Sequence, residues 1–173
     1  MQEDFTMTLD LSTSQVSLPS DSEVKVMRQF KAPLDLVYKA YTTPALMQRW
    51  LVGYAGWSMP VCEMDLRVGG QYRWRWRNNE SEQEFGFTGV FREVIAGKKY
   101  VHTQVYDPGT FGGDMGEESI ITVEFAEKNG HTILTCTLDY KTKESRDTAM
   151  STGMTDGMET NYQLLDKLLT EKV

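Results

Sequence analysis

The chain has 173 residues, enough for one domain with a substantial core, and its 40 % hydrophobic and 25 % charged residues match an ordinary soluble protein. A formal net charge of −7 removes the basic footprint of a nucleic-acid binder and disfavours an acidic partner surface. No apolar run approaches the roughly 18 residues needed to cross a bilayer, and the opening MQEDFTMTLD lacks the basic flank of a signal peptide, so no membrane insertion and a cytoplasmic location are expected.

Residues 1–22 form a Ser/Thr-rich N-terminal extension in which Phe5, Met7, Leu9 and Leu11 alternate as an edge strand would, with disorder as the alternative. Residues 23–173 are expected to be the single folded domain. A first strand spans 23–30, where Val24 and Val26 or Met27 alternate with charged residues. Pro33 opens a short helix carrying Leu34, Val37, Tyr38 and Tyr41. A second follows at once, with Thr43 as N-cap, Pro44 as first helical residue, Leu46, Met47 and Trp50 buried, and Gly53 as the stop. From Pro60 the period becomes two: Met64, Leu66 and Val68 alternate with Glu63, Asp65 and Arg67 up to a Gly69-Gly70 turn.

The strand 71–77 is the clearest of the set, with Tyr72, Trp74 and Trp76 on one face and Arg73, Arg75 and Arg77 on the other. After an acidic turn at 78–84, Phe85, Phe87 and Phe91 repeat the aromatic face, with Gly89 as a smooth or bulged position. Further strands are expected at 100–106, 119–126 and 132–140, the last two joined by Asn129-Gly130, a strong hairpin turn. Between them, 107–118 holds four glycines and one proline and reads as a mobile loop. Cys62 and Cys136 lie far apart in apolar runs, where reduced buried thiols are usual.

The strongest periodic signal comes last. Met150, Met154, Met158, Tyr162, Leu165 and Leu169 recur at steps of four, four, four, three and four, which places one apolar stripe on a single long helix over 142–172. Gly153 and Gly157 fall on that stripe, and each costs a helix about 1 kcal/mol relative to alanine. Either another backbone approaches them closely or the missing side chains leave space. The methionines beside them are flexible and can repack around guests of different shape, or they simply fill a core. A run of strands separated from helices indicates an α+β fold, with about six to seven antiparallel strands curling around the last helix.

Four segments carry a resemblance. Ala32-Pro33 with 37–41, Thr43-Pro44 to Trp50, the run Glu63-Met64-Asp65-Leu66-Arg67-Val68-Gly69-Gly70 with Tyr72, and Gly89 with Phe91-Arg92-Glu93-Val94 resemble the activator of heat-shock protein 90 ATPase homologue-like family of the START-like (SRPBCC, birch-pollen-allergen-like) helix-grip superfamily. The resemblance implies a curved sheet gripping a long helix, with an internal cavity between them, and suggests a stress-response or chaperone contact. Two positions depart from the family pattern: Met158 follows Gly157 where a tryptophan is frequent, and Leu51 stands beside Trp50 where a second aromatic is frequent. Both changes are expected to reshape the pocket. Residues 1–22 are expected to be too few for the additional N-terminal domain of a heat-shock protein 90 co-chaperone.

No residue advertises catalysis. His102 and His131 have no companions at metal-ligand spacing, and GxSxG, Walker A, GxGxxG and CxxC patterns are missing, so no metal, cofactor or catalytic residue is assigned. Glu63 and Asp65 read as members of a cross-strand charge ladder with Arg67 and the arginine row. The leading expectation is non-enzymatic binding of a small, mostly hydrophobic molecule between the sheet and the C-terminal helix. The ligand-binding residues are Tyr72, Trp74, Trp76, Phe85, Phe87, Phe91, Val123, Phe125, Met150, Met154, Gly157 and Met158, with Ile121, Leu134 and Leu138 on the same inner face. Access is expected near the loop 107–118 and the two short helices. Two alternatives are a chaperone-accessory interaction module and a cyclase- or hydrolase-like enzyme using Tyr72, His102 or Glu124. Either a monomer or a homodimer is compatible with the sequence.

Overall fold

The computed structural model describes residues 10–114 and 116–171. Eight strands form one antiparallel sheet in the order β1-β2-β8-β7-β6-β5-β4-β3. Their ranges are β1 Gln15–Ser17, β2 Glu23–Phe30, β3 Trp57–Met64, β4 Gln71–Asn78, β5 Glu84–Ile95, β6 Lys99–Asp107, β7 Ser119–Lys128 and β8 His131–Asp139. The short helices α1 (Leu34–Thr42) and α2 (Pro44–Trp50) follow β2, and α3 (Lys143–Ser151) and α4 (Met154–Leu169) end the chain. This is the helix-grip arrangement of the α+β class.

The strand beyond the expected six or seven is β1, and it lies later than the alternation at the N-terminus suggested. Phe5, Met7 and Leu9 fall outside the described residues. Leu11 is buried, its carbonyl accepts the Gln29 N–H at 2.7 Å, and the pairing with β2 runs from Gln15 to Ser17.

In β2 the inward face is Val24, Val26, Arg28 and Phe30, so Met27 points outward and a cation points in. Arg28 is buried, and its guanidinium meets Glu159 at 3.0 Å and Asp166 at 2.8 Å, both on α4. The ion pairs supply the partners a buried charge requires. They also tie the first long strand to the last helix.

At the start of α1, Glu127 accepts the Leu34 N–H at 3.1 Å. Pro44 occupies the first turn of α2, and the buried Trp50 indole donates to the Ala40 carbonyl at 2.9 Å, locking the two helices together. Neither helix is long enough to be stable alone. They are held by rings that reach the sheet: Tyr41 packs on Trp50 at 4.7 Å and edge-on against Phe125 at 5.3 Å.

The alternation expected to continue to Val68 stops at Met64, and Val68 is exposed. The next six residues fold back as a compact turn. Asp65 N–H donates to Gln71, Gly70 N–H to Arg67, and Gly69 N–H reaches Phe91 of β5 at 2.8 Å. Gly69 has φ +84°, and a Cβ on Gly70 would lie 2.0 Å from the Asp65 carbonyl oxygen, so both positions demand glycine. Asp65 pairs with Arg67 inside this turn. Only Glu63 stands opposite the arginine row, across from Arg73; Arg75 pairs with Asp107 and Glu84, and Arg77 with Glu82 and Glu84. Asn129 and Gly130 both take positive φ, as the tight hairpin between β7 and β8 requires.

The single long terminal helix of the sequence reading is in fact two helices. Thr142 caps α3 by accepting the Ser145 N–H at 3.1 Å, but the helix ends at Ser151. Gly153 adopts φ +77°, and α4 restarts at Met154. Only Thr152 and Gly153 separate the two helices, and beyond the break it is Tyr162, Leu165 and Leu168 that are buried, with Leu169 only partly so.

Candidate functional site

The grip is closed along one half of α4 and loose along the other. In the C-terminal half Tyr162, Leu165 and Leu168 are buried, and Phe30 meets Tyr162 edge-on with ring centroids 5.5 Å apart. Helix and sheet touch there. In the N-terminal half no residue from 154 to 161 is fully buried, and Met154 and Met158, like Met150 of α3, are only half-buried against the core. Gly157 has room beside it: a Cβ there would meet only the Tyr54 hydroxyl, at 4.0 Å.

The inner face of the sheet shows the same gradient. Along β4, Tyr72 and Trp74 are buried while Trp76 is half-buried. Opposite them in β5 stand Phe87, facing Trp74, and Phe85, facing Trp76, both half-buried; Tyr106 of β6 faces Phe87. Trp76 stacks on Phe85 at 5.5 Å, and Trp57 at the start of β3 meets Phe85 edge-on at 5.6 Å. Phe111, half exposed, comes from the glycine-rich loop after β6 and lies 5.6 Å from Phe85 and 6.2 Å from Trp57. The loop is fastened by the Phe111 N–H to the Glu84 carbonyl at 3.0 Å and by the Tyr106 hydroxyl to the Gly112 carbonyl at 2.7 Å.

Residues 51–54 join the two loose halves. The Trp76 indole donates to the Leu51 carbonyl at 2.6 Å, the Gly53 N–H donates to the Asn161 side-chain oxygen at 2.7 Å, and Tyr54 stands over Gly157. Half-buried rings and half-buried methionines therefore flank one segment of chain.

The closed end is filled by rings. Tyr72 lies 4.7 Å from His102, Phe91 packs edge-on to Tyr100 at 5.8 Å, and Phe125 meets Tyr38 at 5.2 Å. Of the residues expected to contact a ligand, Phe91, Val123 and Phe125 sit in this packed end. Tyr72 and Trp74 stand at its border, and Trp76, Phe85, Phe87, Met150, Met154, Gly157 and Met158 occupy the loose end. Sequence reading missed Trp57, Tyr106, Phe111 and Tyr54. Tyr106 carried a signal, since it continues the alternation of its strand; Trp57 lies before the expected strand start, and Phe111 lies in a segment with no periodicity.

The polar groups among these rings are few and mostly satisfied. Tyr72 donates to the Thr103 carbonyl at 2.6 Å, and the His102 Nδ1 lies 2.8 Å from the same oxygen. Burial lowers the His102 pKa to about 4, so the ring is neutral near pH 7. Burial pushes the Tyr41 and Tyr162 hydroxyls well above their ordinary range. Both cysteines are free; burial raises Cys62 to about 11 and Cys136 to about 12, which makes them poor nucleophiles. The exception is Trp74. Its Nε1 is buried and, among the described residues, has no hydrogen-bond partner, a defect that costs roughly 1–3 kcal/mol when nothing fills it.

Glu124 is exposed on the outer face opposite Lys99, so it does not join Tyr72 and His102 as an acid–base set. Among the described residues no three His, Cys, Asp or Glu side chains gather as a metal site would need, and no helix is long and apolar enough to cross a membrane. A separate outer-face groove of about 430 Å³ is bordered by Glu63, Arg73, Val90, Val105 and Glu118, where both signs of charge mix.

The architecture recurs in solved structures. A Rhodobacter sphaeroides protein is 29% identical, with a TM-score of 0.84 over 92% of this chain and 99% of its own. A Nitrosomonas europaea protein (22% identity, TM-score 0.76, 90% and 98% coverage) and one from Mycobacterium smegmatis (18%, 0.79, 91% and 96%) share the fold. No curated protein matches the chain. Residues 31–170, which hold every element from α1 to α4, match the family described as Activator of Hsp90 ATPase homolog 1-like protein, and the chain belongs to that family.

Proposed function

We propose that the protein binds a small, mostly hydrophobic molecule, without turning it over, between the inner face of the sheet and the α3–α4 segment. The supporting observation is the paired gradient of burial: Trp76, Phe85 and Phe87 on the sheet and Met150, Met154 and Met158 on the helices all face inward yet remain half-buried. Apolar groups pointing toward a core and left partly uncovered gain by covering, at about 25 cal/mol per Å². A ligand removing about 300 Å² of apolar surface gains about 7 kcal/mol, a Kd near 10 μM before orientation costs. Phe111 and its loop close over the rim, and the methionines adapt to the guest.

The test is Gly157→Leu. Its Cβ has room, and leucine favours a helix over glycine by about 1 kcal/mol, so the variant folds while its side chain enters the gap. Native mass spectrometry of freshly purified protein should show a retained apolar compound as added mass, and Gly157→Leu should lose it or bind it at least about tenfold more weakly. Unchanged affinity in calorimetry would place the ligand elsewhere.

The family's description supplies a second reading, contact with an Hsp90-type ATPase. It is separated from the first by stimulation of that ATPase in the absence of any small ligand.

A further inference from the structure

Three of the four tryptophans, Trp50, Trp74 and Trp76, differ in the partners of their indole N–H groups. Trp50 donates to the Ala40 carbonyl at 2.9 Å and Trp76 to the Leu51 carbonyl at 2.6 Å. Trp74 is 8% exposed, and its Nε1 donates to nothing among the described residues. A buried indole normally finds an acceptor, because leaving the N–H dry forfeits the bond it made with water. Two rings packed on Trp74 do not supply one: the Tyr72 hydroxyl and the His102 Nδ1 are both directed at the Thr103 carbonyl. Trp74 also sits at the border between the packed and loose ends of the inner face, directly across from half-buried Phe87.

Resting on the ligand-binding reading above, we infer that the bound molecule brings the missing acceptor: a neutral, ring-sized apolar compound carrying a carbonyl oxygen that accepts from Trp74 Nε1. The chemistry narrows the class in three steps. An indole N–H only donates, so the ligand group must accept. A carboxylate or sulfonate would enter an apolar chamber where both buried arginines among the described residues are already paired, Arg28 with Glu159 and Asp166 and Arg146 with Asp147, and the chain carries a net charge of −7. A cationic group is itself a donor and leaves the indole N–H unsatisfied. A neutral carbonyl satisfies the N–H and adds no charge to bury.

The experiment compares 2-acetylnaphthalene with 2-ethylnaphthalene, which share size and rings and differ in the carbonyl. Affinities of both for the wild-type chain and for Trp74→Phe are measured by calorimetry. The ketone-to-hydrocarbon affinity ratio should fall by about fivefold to tenfold in Trp74→Phe, and the ratio of ratios cancels their different solubilities. Binding of both probes with an unchanged ratio overturns the carbonyl inference, including the case in which a buried water serves the N–H, and leaves the pocket standing. Binding of neither probe to the wild type overturns the pocket and the inference together. A second measurement covers a variant that fails to fold: in wild-type protein with nitrogen-15-labelled indoles, the Trp74 N–H resonance should move downfield with the ketone and not with the hydrocarbon. Equal movement with both probes refutes the proposal.

Discussion

Gly89 stands directly across from Tyr72 in the β4–β5 pairing, and the tyrosine ring fills the place a side chain on Gly89 would take. A Cβ there would lie 2.6 Å from Tyr72 Cε1 and 2.0 Å from the Thr103 carbonyl oxygen, the same oxygen that accepts the Tyr72 hydroxyl. The missing side chain is what lets the ring cross one strand and bond to the next. Gly89→Ala should therefore lower stability by about 2–3 kcal/mol through overpacking, while Tyr72→Phe, which loses only the hydroxyl bond, should cost about 1 kcal/mol. Denaturant midpoints of the two variants check the order.

The Arg28 cluster predicts unequal partners. The Glu159 side chain is 19% exposed and also accepts the Ser14 N–H at 2.9 Å, whereas Asp166 is 43% exposed. Glu159→Ala should cost about 3 kcal/mol, because it strands part of a buried guanidinium, and Asp166→Ala about 1 kcal/mol or less, since water replaces it. Equal losses by thermal unfolding would mean the two carboxylates share the charge evenly.

His102 should make the fold sensitive to mild acid. Its pKa falls from 6.5 to about 4 on burial, so below pH 6.5 the unfolded chain takes up a proton that the folded chain refuses. Its contribution is complete above pH 6.5, declines as pH falls, and is gone below about pH 4. The whole change is on the order of 3 kcal/mol at 1.36 kcal/mol per pKa unit. His102→Asn should flatten the difference in stability between pH 6.5 and 4, measured against wild type so that carboxylate titration cancels.

Gly153 should tolerate bulk but not chirality. Nothing lies within 4 Å of a Cβ there, yet φ is +77°. Gly153→Ala should cost about 1 kcal/mol from left-handed strain alone, with helix content by circular dichroism unchanged. A larger loss accompanied by added helicity would show that α3 and α4 have fused.

Phe111 is half exposed, so Phe111→Ala should change stability by less than about 1 kcal/mol. As the ring covering Phe85 and Trp57, it should instead speed ligand release several-fold, read by stopped-flow tryptophan fluorescence.

Period and punctuation in the sequence determined which residues face inward. Alternation in β4 put Tyr72, Trp74 and Trp76 on one side, Thr43-Pro44 started α2, Asn129-Gly130 closed its hairpin, and the methionine stripe marked the terminal helical segment. These are local signals, set by steric rules that act over a few residues. Tertiary structure alone decided that Arg28 turns inward, because its partners lie more than a hundred residues away on α4. It also decided that the terminal helix breaks at Gly153 and that the grip is tight at Tyr162 and loose at Gly157. Periodicity reports the direction of a side chain; how closely the opposing surface approaches depends on where the other elements come to rest, which no stretch of neighbouring residues encodes.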